Sequence, residues 1–293
     1  MKKTIVGIGE ILWDIFPDRK VLGGAPANFA YHCMQLGHEA YAISAIGKDP
    51  LGAEVKRELA NKGLQHNLQE VSYPTGKVLV TLAETGSGSY DIQENVAWDH
   101  ISFTQELEQL AHRTDAVCFG SLAQRSEETA STIHRFLDAM PAESIKIFDI
   151  NLRLNYYSEA LIRSSLEHAT MLKLNDEEVS TVALLLKLDG SIEAVCHQVL
   201  ELFALDSVIL TRGAYGCNIY TAGGSNYHPS KEVSVIDTVG AGDSFTAAYV
   251  SALLAGRSRP DAIRFSTQVA AFVCTQRGAM PALPPEYRMW LEE

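Results

Sequence analysis

Short apolar segments alternate with longer segments of helical periodicity along nearly the whole chain. Apolar runs of strand length lie at residues 4–9, 40–46, 116–120, 145–150, 170–174, 207–211 and 217–221. Between them, helical spacing predicts helices near 26–36, 50–62, 126–140, 158–168, 176–187, 191–204, 242–255 and 260–276. This alternation predicts an α/β fold in which helices cover both faces of a mostly parallel sheet, and such folds bind ligands at the carboxyl ends of their strands.

The segment 74–98 interrupts the alternation. It contains a β-type run that starts at Lys77, a turn over Thr85–Ser89 and a second short run from Tyr90, which together predict a hairpin without an intervening helix. With residues 11–22, this hairpin is expected to form a small antiparallel sheet that projects from the core. The pattern leaves open whether this sheet is a lid over a site or an edge or dimer contact.

Composition excludes several classes of protein. The net charge of −12, from 24 basic and 36 acidic residues, disfavours nucleic acid as a partner, because that needs clustered Lys and Arg. No run of 18 apolar residues predicts a membrane span. The five cysteines show no CxxC spacing and are typical of reduced thiols, so we expect a cytoplasmic protein without a signal peptide. The length suits one large α/β domain over residues 1–293 or two modest ones.

The most informative motif lies at residues 237–245, Asp-Thr-Val-Gly-Ala-Gly-Asp-Ser-Phe. Gly240, Ala241 and Gly242 allow a tight bend before a helix, and the amides there suit a phosphate or a developing oxyanion. Asp243 falls in the first turn, where it can orient an alcohol and accept its proton. Asp at this position is also a common helix cap, and the helix N-terminus is expected to lower its pKa.

Two N-terminal motifs are candidates for binding a polyol. Gly23-Gly-Ala-Pro-Ala-Asn28 precedes a helix, so Gly24 and the Asn28 amide can contact a ligand, although helix punctuation explains the same residues. Asp14 follows the first strand and can accept hydrogen bonds from sugar hydroxyls, although it reads equally well as a solvated loop acid.

Three further motifs follow predicted strands. Asp149, Asn151 and Arg153 alternate with apolar residues, so a continuing strand would place them on one side, where they can organise phosphate, metal-bound water or substrate; a salt-linked strand end has the same pattern. Asn175 and Glu178 have the spacing of a capping box, or they hold the hydration shell of Mg²⁺.

The third of these motifs contains Thr211, Gly213 and Gly216 at the end of a strand. Its glycines permit the close approach of a nucleotide or form a β-turn. The nine histidines lack metal-ligand spacing, and there is no Walker P-loop or Gly-x-Ser-x-Gly elbow.

In this order, the motifs resemble those of the ribokinase-like carbohydrate kinases, also called the phosphofructokinase-B family. The resemblance extends from Gly9 to about Pro284 and rests mainly on residues 23–30 and 237–245, which are similar to the two signatures of that family. It implies a three-layer α/β/α fold with a small antiparallel β lid, to which residues 74–98 would contribute.

The resemblance also implies roles for individual residues. Asp243 would be the catalytic base, Gly240–Gly242 the anion hole, and Glu178 a ligand of Mg²⁺ through water. The substrate side would consist of Asp14, Gly24 and Asn28, and the ATP side of Asn175, Thr211, Gly213 and Gly216. The backbone carbonyls of Asp237 and Val239 would hold a monovalent cation such as K⁺.

The substrate that the resemblance favours is D-fructose, with fructose 6-phosphate as the product. Ala25 and Pro26 stand where kinases of phosphorylated sugars tend to have a Lys. The family's 2-keto-3-deoxygluconate kinases share the Asp-x-Asn-x-Arg run, in which Arg153 would meet the substrate carboxylate, and ribokinase is a further alternative. Outside this class, a catalytically silent sugar-binding or nucleotide-binding module would be expected to lack Asp243 or the glycines. A homodimer through the lid sheet is compatible with its apolar face.

Overall fold

The structure is a computed structural model that describes residues 2–82 and 88–293. The described residues form thirteen strands: β1 Thr4–Ile8, β2 Leu12–Ile15, β3 Lys20–Gly23, β4 Glu39–Gly47, β5 Gln65–Val71, β6 Gly76–Leu82, β7 Gly88–Ile92, β8 Ala116–Phe119, β9 Ile145–Asp149, β10 Met171–Asn175, β11 Ser207–Thr211, β12 Cys217–Thr221 and β13 Gly224–His228. They also form ten α-helices: α1 Ala25–Gln35, α2 Pro50–Asn61, α3 Gln105–Ala111, α4 Glu127–Ala139, α5 Glu159–His168, α6 Asp176–Leu186, α7 Ile192–Leu202, α8 Ala241–Leu254, α9 Arg259–Cys274 and α10 Pro285–Glu292.

Nine strands form one large sheet in the order β13-β12-β11-β10-β9-β8-β1-β4-β5. All pairs from β5 to β11 are parallel, and only β12 and β13 run antiparallel to their neighbours. Every predicted strand and helix of the alternating pattern is present, with ends that differ by one or two residues. The predicted α/β class and mostly parallel sheet are therefore confirmed.

Helices cover both faces of this sheet, and the strands alternate between the two resulting cores. Ile5 of β1 belongs to the core beneath α1, α8 and α9, whereas its neighbour Val6 belongs to the core beneath α4, α5 and α6. Both side chains are fully buried, at 0% exposure. Period-two alternation between two buried faces explains why these strands read as continuous apolar runs.

The small sheet has the order β3-β2-β6-β7. Its β2–β3 and β6–β7 pairs are antiparallel as predicted, but β2 and β6 pair in parallel. The parallel pair arises because β2 and β6 come from different parts of the chain and are not joined by a hairpin turn. Gly88 and Ser89, predicted as part of the turn, belong to β7, and the rest of that turn lies outside the described residues.

Four elements of the structure have no counterpart in the sequence prediction. The edge strands β5 and β13 have largely polar, partly exposed sequences, so they lack the apolar run by which the central strands are recognised. Helix α3 has only seven residues, and α10 has no fully buried side chain. Within the described ranges, no helix is long and apolar enough to cross a membrane.

Candidate active site

The carboxylate of Asp243 lies at the start of α8 and is held by the first helix of the chain. Asn28 Nδ2 on α1 donates a hydrogen bond of 2.7 Å to Asp243 Oδ2, across 215 residues of sequence. Asn28 is only 4% exposed, and its own Oδ1 has no partner among the described residues. Two predicted site residues are thus brought together, and Asn28 directly orients Asp243.

The turn before α8 places backbone amides beside the Asp243 carboxylate. Gly240 has a left-handed backbone with φ of 78°, and a Cβ there would lie 2.6 Å from the carbonyl oxygen of Ala279, so only glycine fits. The amides of Gly240, Gly242 and Asp243 donate to no group in the described ranges. The amide of Ala241 instead donates to the Thr238 carbonyl at 3.2 Å, so the predicted anion hole is made without it.

A buried lysine lies beside this nest of amides. Lys173 Nζ donates to both carboxylate oxygens of Asp149, at 2.8 and 2.7 Å. A Cβ at Gly242 would lie 3.3 Å from Lys173 Nζ, so the ammonium group is next to the nest. Burial lowers the pKa of Lys173, but Asp149, Asp243 and other nearby carboxylates raise it above its usual value. The lysine therefore carries its charge throughout the physiological pH range.

The expectation that the helix N-terminus lowers the pKa of Asp243 is wrong. Burial is the largest effect, and with the charge of Asp149 it raises the pKa of Asp243 to about 6. The Asn28 hydrogen bond and the charges of Lys173 and Arg153 oppose this increase without cancelling it. A carboxylate with this pKa is still ionised at neutral pH and is a better proton acceptor than an exposed aspartate.

The substrate side of the site is rich in carboxyl groups. Asp14 on β2 is partly buried, which raises its pKa, and Glu10 between β1 and β2 is 4% exposed. Burial raises the pKa of Asp14, Glu10 and Asp243, and the charge of Arg153 opposes this increase at each of them, so the guanidinium lies near all three acids. Gly24 packs against Glu10, because a Cβ there would lie 2.5 Å from the Glu10 carbonyl oxygen.

The strand that would have placed Asp149, Asn151 and Arg153 on one side does not continue. β9 ends at Asp149 and Asn151 has φ of 41°, so period-two alternation stops there, although Asp149 and Asn151 still line one small cavity. Asp149 is buried and forms an ion pair with Lys173, which is the alternative of a salt-linked strand end given in the sequence analysis. Arg153 is exposed.

Asn175 and Glu178 form the predicted capping box at the start of α6. Asn175 Oδ1 accepts from the Glu178 amide at 2.9 Å, and Glu178 Oε2 accepts from the Asn175 amide at 2.8 Å. Glu178 Oε1 also accepts from the Leu152 amide at 2.9 Å. Because both oxygens already accept backbone hydrogen bonds, the remaining lone pairs suit water in a Mg²⁺ shell better than direct ligation. The described residues contain no cluster of three or more His, Cys, Asp or Glu that could hold a metal ion.

A cavity of about 390 Å³ lies at the other end of the sheet, before β1, β4 and β5, among residues that include Lys2, His38 and Arg288. It is remote from the carboxyl ends of the strands, where α/β folds bind their ligands.

Three of the four predicted nucleotide residues line one cavity of about 670 Å³ that opens onto the amide nest. Thr211, Gly213 and Gly216 form one side of this cavity, and Ala241 and Gly242 lie at its edge. Its volume lies in the range of small-molecule sites. Asn175 is not among its lining residues but is the direct neighbour of Thr211 in the β10–β11 pair.

Asp237 braces the loop before the nest. Its carboxylate accepts from the amides of Val239 and Gly278, each at 3.0 Å. The backbone carbonyls of Asp237 and Val239, the predicted cation ligands, accept no hydrogen bond within the described ranges.

Sequence reasoning missed three components of the site. Lys173 was detectable as the single charge in the apolar run Met171–Leu174, and Glu10 as an acid directly after an apolar strand. The apolar wall of the nucleotide cavity, which includes Val233, Val235 and Ala270, comes from a loop and from α9. No sequence pattern joins these two segments, since only the fold brings them together.

Comparison with known proteins shows the family to which this chain belongs. The profile described as pfkB family carbohydrate kinase matches residues 17–286. The chain is 30% identical to probable fructokinase-5 of Arabidopsis thaliana, over 96% of this chain and 94% of the relative.

Two solved structures share the fold. A fructokinase with bound ATP from Xylella fastidiosa has a TM-score of 0.87 at 24% identity and covers 99% of this chain and 98% of its own. A 2-dehydro-3-deoxygluconokinase from Thermotoga maritima has a TM-score of 0.84 at 18% identity, with 99% of both chains covered. The chain therefore belongs to the pfkB family of carbohydrate kinases.

Proposed function

We propose that this sugar kinase transfers the γ-phosphoryl group of ATP to the primary hydroxyl of D-fructose at carbon 6, and that Asp243 is the catalytic base. The observation that carries the proposal is the position of the Asp243 carboxylate. It is oriented by Asn28 at 2.7 Å and lies beside free amides at the start of α8. The cavity of nucleotide size opens onto those same amides.

The proposed reaction assigns each group a simple task. The sugar oxygen attacks the γ-phosphorus as its proton passes to Asp243, and the bond between the γ-phosphorus and the bridging oxygen breaks to release ADP. The amides of Gly240 and Gly242, with Lys173 beside them, hold the phosphoryl oxygens. Since phosphoryl transfer has a loose transition state, these groups act chiefly by position and charge.

Glu178 fits the role of a Mg²⁺ residue that acts through water, and Asn175 holds it in place. Mg²⁺ bound there would neutralise charge on the phosphates of ATP. The carbonyls of Asp237 and Val239 are free to hold a monovalent cation, which would add positive charge near the nest. Activity in KCl compared with choline chloride at equal ionic strength tests that part of the proposal, and equal rates would contradict it.

Electrostatics favour a neutral sugar as the acceptor. Asp14, Glu10 and Asp243 surround the substrate side. Among the described cations whose charge lowers the pKa of one of these acids, Arg153 is exposed and Lys173 is buried. A polyol can donate hydrogen bonds to these carboxylates, whereas a second anionic group on the substrate would be repelled by them. The alternative, 2-keto-3-deoxygluconate, needs Arg153 as a carboxylate clamp.

A coupled ADP-release assay with Mg-ATP tests the substrate. The acceptors are fructose, ribose, 2-keto-3-deoxygluconate, adenosine and fructose 6-phosphate, each with the parent enzyme and with Arg153→Gln. We expect the highest kcat/KM with fructose and only a small effect of Arg153→Gln on it. A preference for 2-keto-3-deoxygluconate that disappears in Arg153→Gln would support the proposed kinase reaction but would contradict fructose as the substrate.

Asp243→Asn tests the mechanism. We expect kcat to fall on the order of 10² to 10⁴-fold, because the proton acceptor is lost while the Asn28 hydrogen bond can persist. Fructose and ATP binding, measured by calorimetry, should remain. Turnover at the parent rate would eliminate Asp243 as the base, and no turnover by the parent on any acceptor would favour the silent binding module.

The small sheet is proposed to act as a lid, since β2 carries Asp14 and β3 leads directly into the Gly24 turn. A homodimer through this sheet would use its outer face. Val78, Val80 and Ile92 are buried in the core of the same chain, whereas Leu79 and Tyr90 are 39 and 58% exposed. The dimer stays a prediction that light scattering would test.

A further inference from the structure

Glu10 is a buried carboxyl group with an unused oxygen. It lies at the carboxyl end of β1 and is 4% exposed, and its Oε2 has no hydrogen-bond partner among the described residues. A buried carboxylate oxygen without a hydrogen-bond partner destabilises the folded state. The fold therefore keeps this oxygen unpaired at a cost that no contact within the described chain offsets.

The charged groups around Glu10 do not satisfy that oxygen. Lys173, the buried cation of the site, donates to both oxygens of Asp149 instead. Burial raises the pKa of Glu10 to about 7, with a smaller contribution from the charge of Asp243, whereas the backbone amides of Glu10 and Ala25 and the charge of Arg153 lower it. Arg153 forms no ion pair within the described residues.

Glu10 lines a small cavity with room for about one oxygen-sized group. The cavity has a volume of about 10 Å³ and is shared with Pro26, Gly120, Asp149 and Asn151. A cavity of that size holds one water molecule or one hydroxyl group. The cavity lies between the N-terminus of α1 and the carboxyl ends of β8 and β9, and Asp243 is near enough for its charge to raise the pKa of Glu10.

We infer that Glu10 is a further substrate-binding residue, whose free Oε2 accepts a hydrogen bond from one hydroxyl of the acceptor sugar. This inference rests on the proposed function, because it requires a polyhydroxy acceptor beside Asp243. A hydroxyl satisfies the unpaired oxygen, whereas a deoxy position leaves it buried and unpaired. Glu10 thereby selects for an acceptor that carries a hydroxyl at one particular position.

The test combines substitutions at Glu10 with deoxy sugars. Glu10→Ala should raise the KM for fructose at least 10-fold and leave the KM for ATP unchanged. Glu10→Gln, which retains one acceptor atom, should have a smaller effect. Glu201→Gln, an exposed glutamate on α7, is the matched control and should match the parent. Melting temperatures establish that each variant folds, and calorimetry measures fructose binding without turnover.

A double-mutant cycle identifies the hydroxyl. Among 1-deoxyfructose, 3-deoxyfructose, 4-deoxyfructose and 2,5-anhydromannitol, one analogue should lose as much kcat/KM with the parent as fructose loses with Glu10→Ala. The two losses should not add, because both remove the same hydrogen bond. Additive losses with every analogue, or an unchanged KM for fructose in Glu10→Ala, would overturn the inference and indicate that Oε2 binds only water. Absence of turnover and of sugar binding by the parent would instead overturn the proposed function as well.

Discussion

Buried charges surround Asp243, the proposed base of this kinase, and control its proton affinity. Asp149 and Asp243 repel one another, and Lys173 binds Asp149 directly while it lowers the pKa of Asp243. The result is a base that is ionised at neutral pH but has a raised pKa. These three charged residues therefore explain both the proton affinity of the proposed base and the cost of the site to stability.

The pH dependence of activity follows from the pKa of Asp243, about 6. Below that pH the base is protonated, so we expect kcat/KM for the sugar to fall tenfold per pH unit on the acid side. A pH–rate profile at saturating Mg-ATP measures it, and a flat profile down to pH 5 would contradict this assignment.

The stability of the protein should respond in the opposite sense. The pKa of Asp243 is raised on folding from 3.8 to about 6, so the folded state holds the proton more tightly between these values. Its contribution to stability is present below the unfolded pKa and is lost as pH rises through about 6. Asp243→Asn should therefore melt at a higher temperature than the parent at pH 8, with a smaller difference at pH 5, as calorimetry can measure.

Lys173 and Asp149 offer a test of the buried ion pair. Lys173→Met should destabilise the fold by about 3–5 kcal/mol, because it leaves Asp149 charged and unpaired. The double variant Lys173→Met with Asp149→Asn should recover most of the stability, since both charges are removed. Its kcat should stay low, because the cation beside Gly242 is still missing. Full recovery of kcat would confine Lys173 to a structural role.

At the level of elements, the starts of two helices serve both fold and site. The turn before α8 needs Gly240 for its left-handed backbone, and the start of α6 needs Asn175 and Glu178 for its caps. Free or capped amides at a helix start carry partial positive charge. The residues that start α6 and α8 would thus also direct this partial positive charge toward the phosphates of ATP in the proposed reaction.

Substitutions at Asn175 separate capping from catalysis. Asn175→Ser keeps a good cap, so we expect little change in melting temperature, whereas Asn175→Ala should cost about 1 kcal/mol. If Asn175 also positions Glu178 for Mg²⁺, both variants should need more Mg²⁺ for half-maximal activity. An unchanged Mg²⁺ requirement in both variants would leave Asn175 as a helix cap only.

At the scale of the whole molecule, distant parts of the chain meet at one end of the sheet. Besides the Asn28–Asp243 contact, His32 on α1 lies 2.9 Å from the carbonyl of Ala279, and Lys62 donates to the carbonyl of Met280. The nucleotide cavity likewise combines β11, the loop 230–241 and α9. The active site can therefore form only when both ends of the chain have folded together.

Ligand binding should stabilise the whole fold for that reason. Mg-ATP at about 100 times its Kd should add about 2.7 kcal/mol to the free energy of unfolding. Ala270→Leu, whose larger side chain would project into the cavity, should lose most of this stabilisation. Ala160→Leu, at an exposed position of α5, should retain it. Thermal shift with and without Mg-ATP checks both variants, and equal shifts would place the nucleotide elsewhere.

Local sequence patterns suffice to predict the central strands, most of the helices and the residues of the turn before α8. Apolar periodicity and glycine requirements act over a few neighbouring residues, so they can be recognised without the fold. Contacts across the chain follow from the three-dimensional fold alone, and they include the Asn28 contact with Asp243, the pairing of Lys173 with Asp149 and the isolation of Glu10. The pKa of Asp243 was mispredicted for the same reason, because burial and a neighbouring charge outweighed the local effect of its helix.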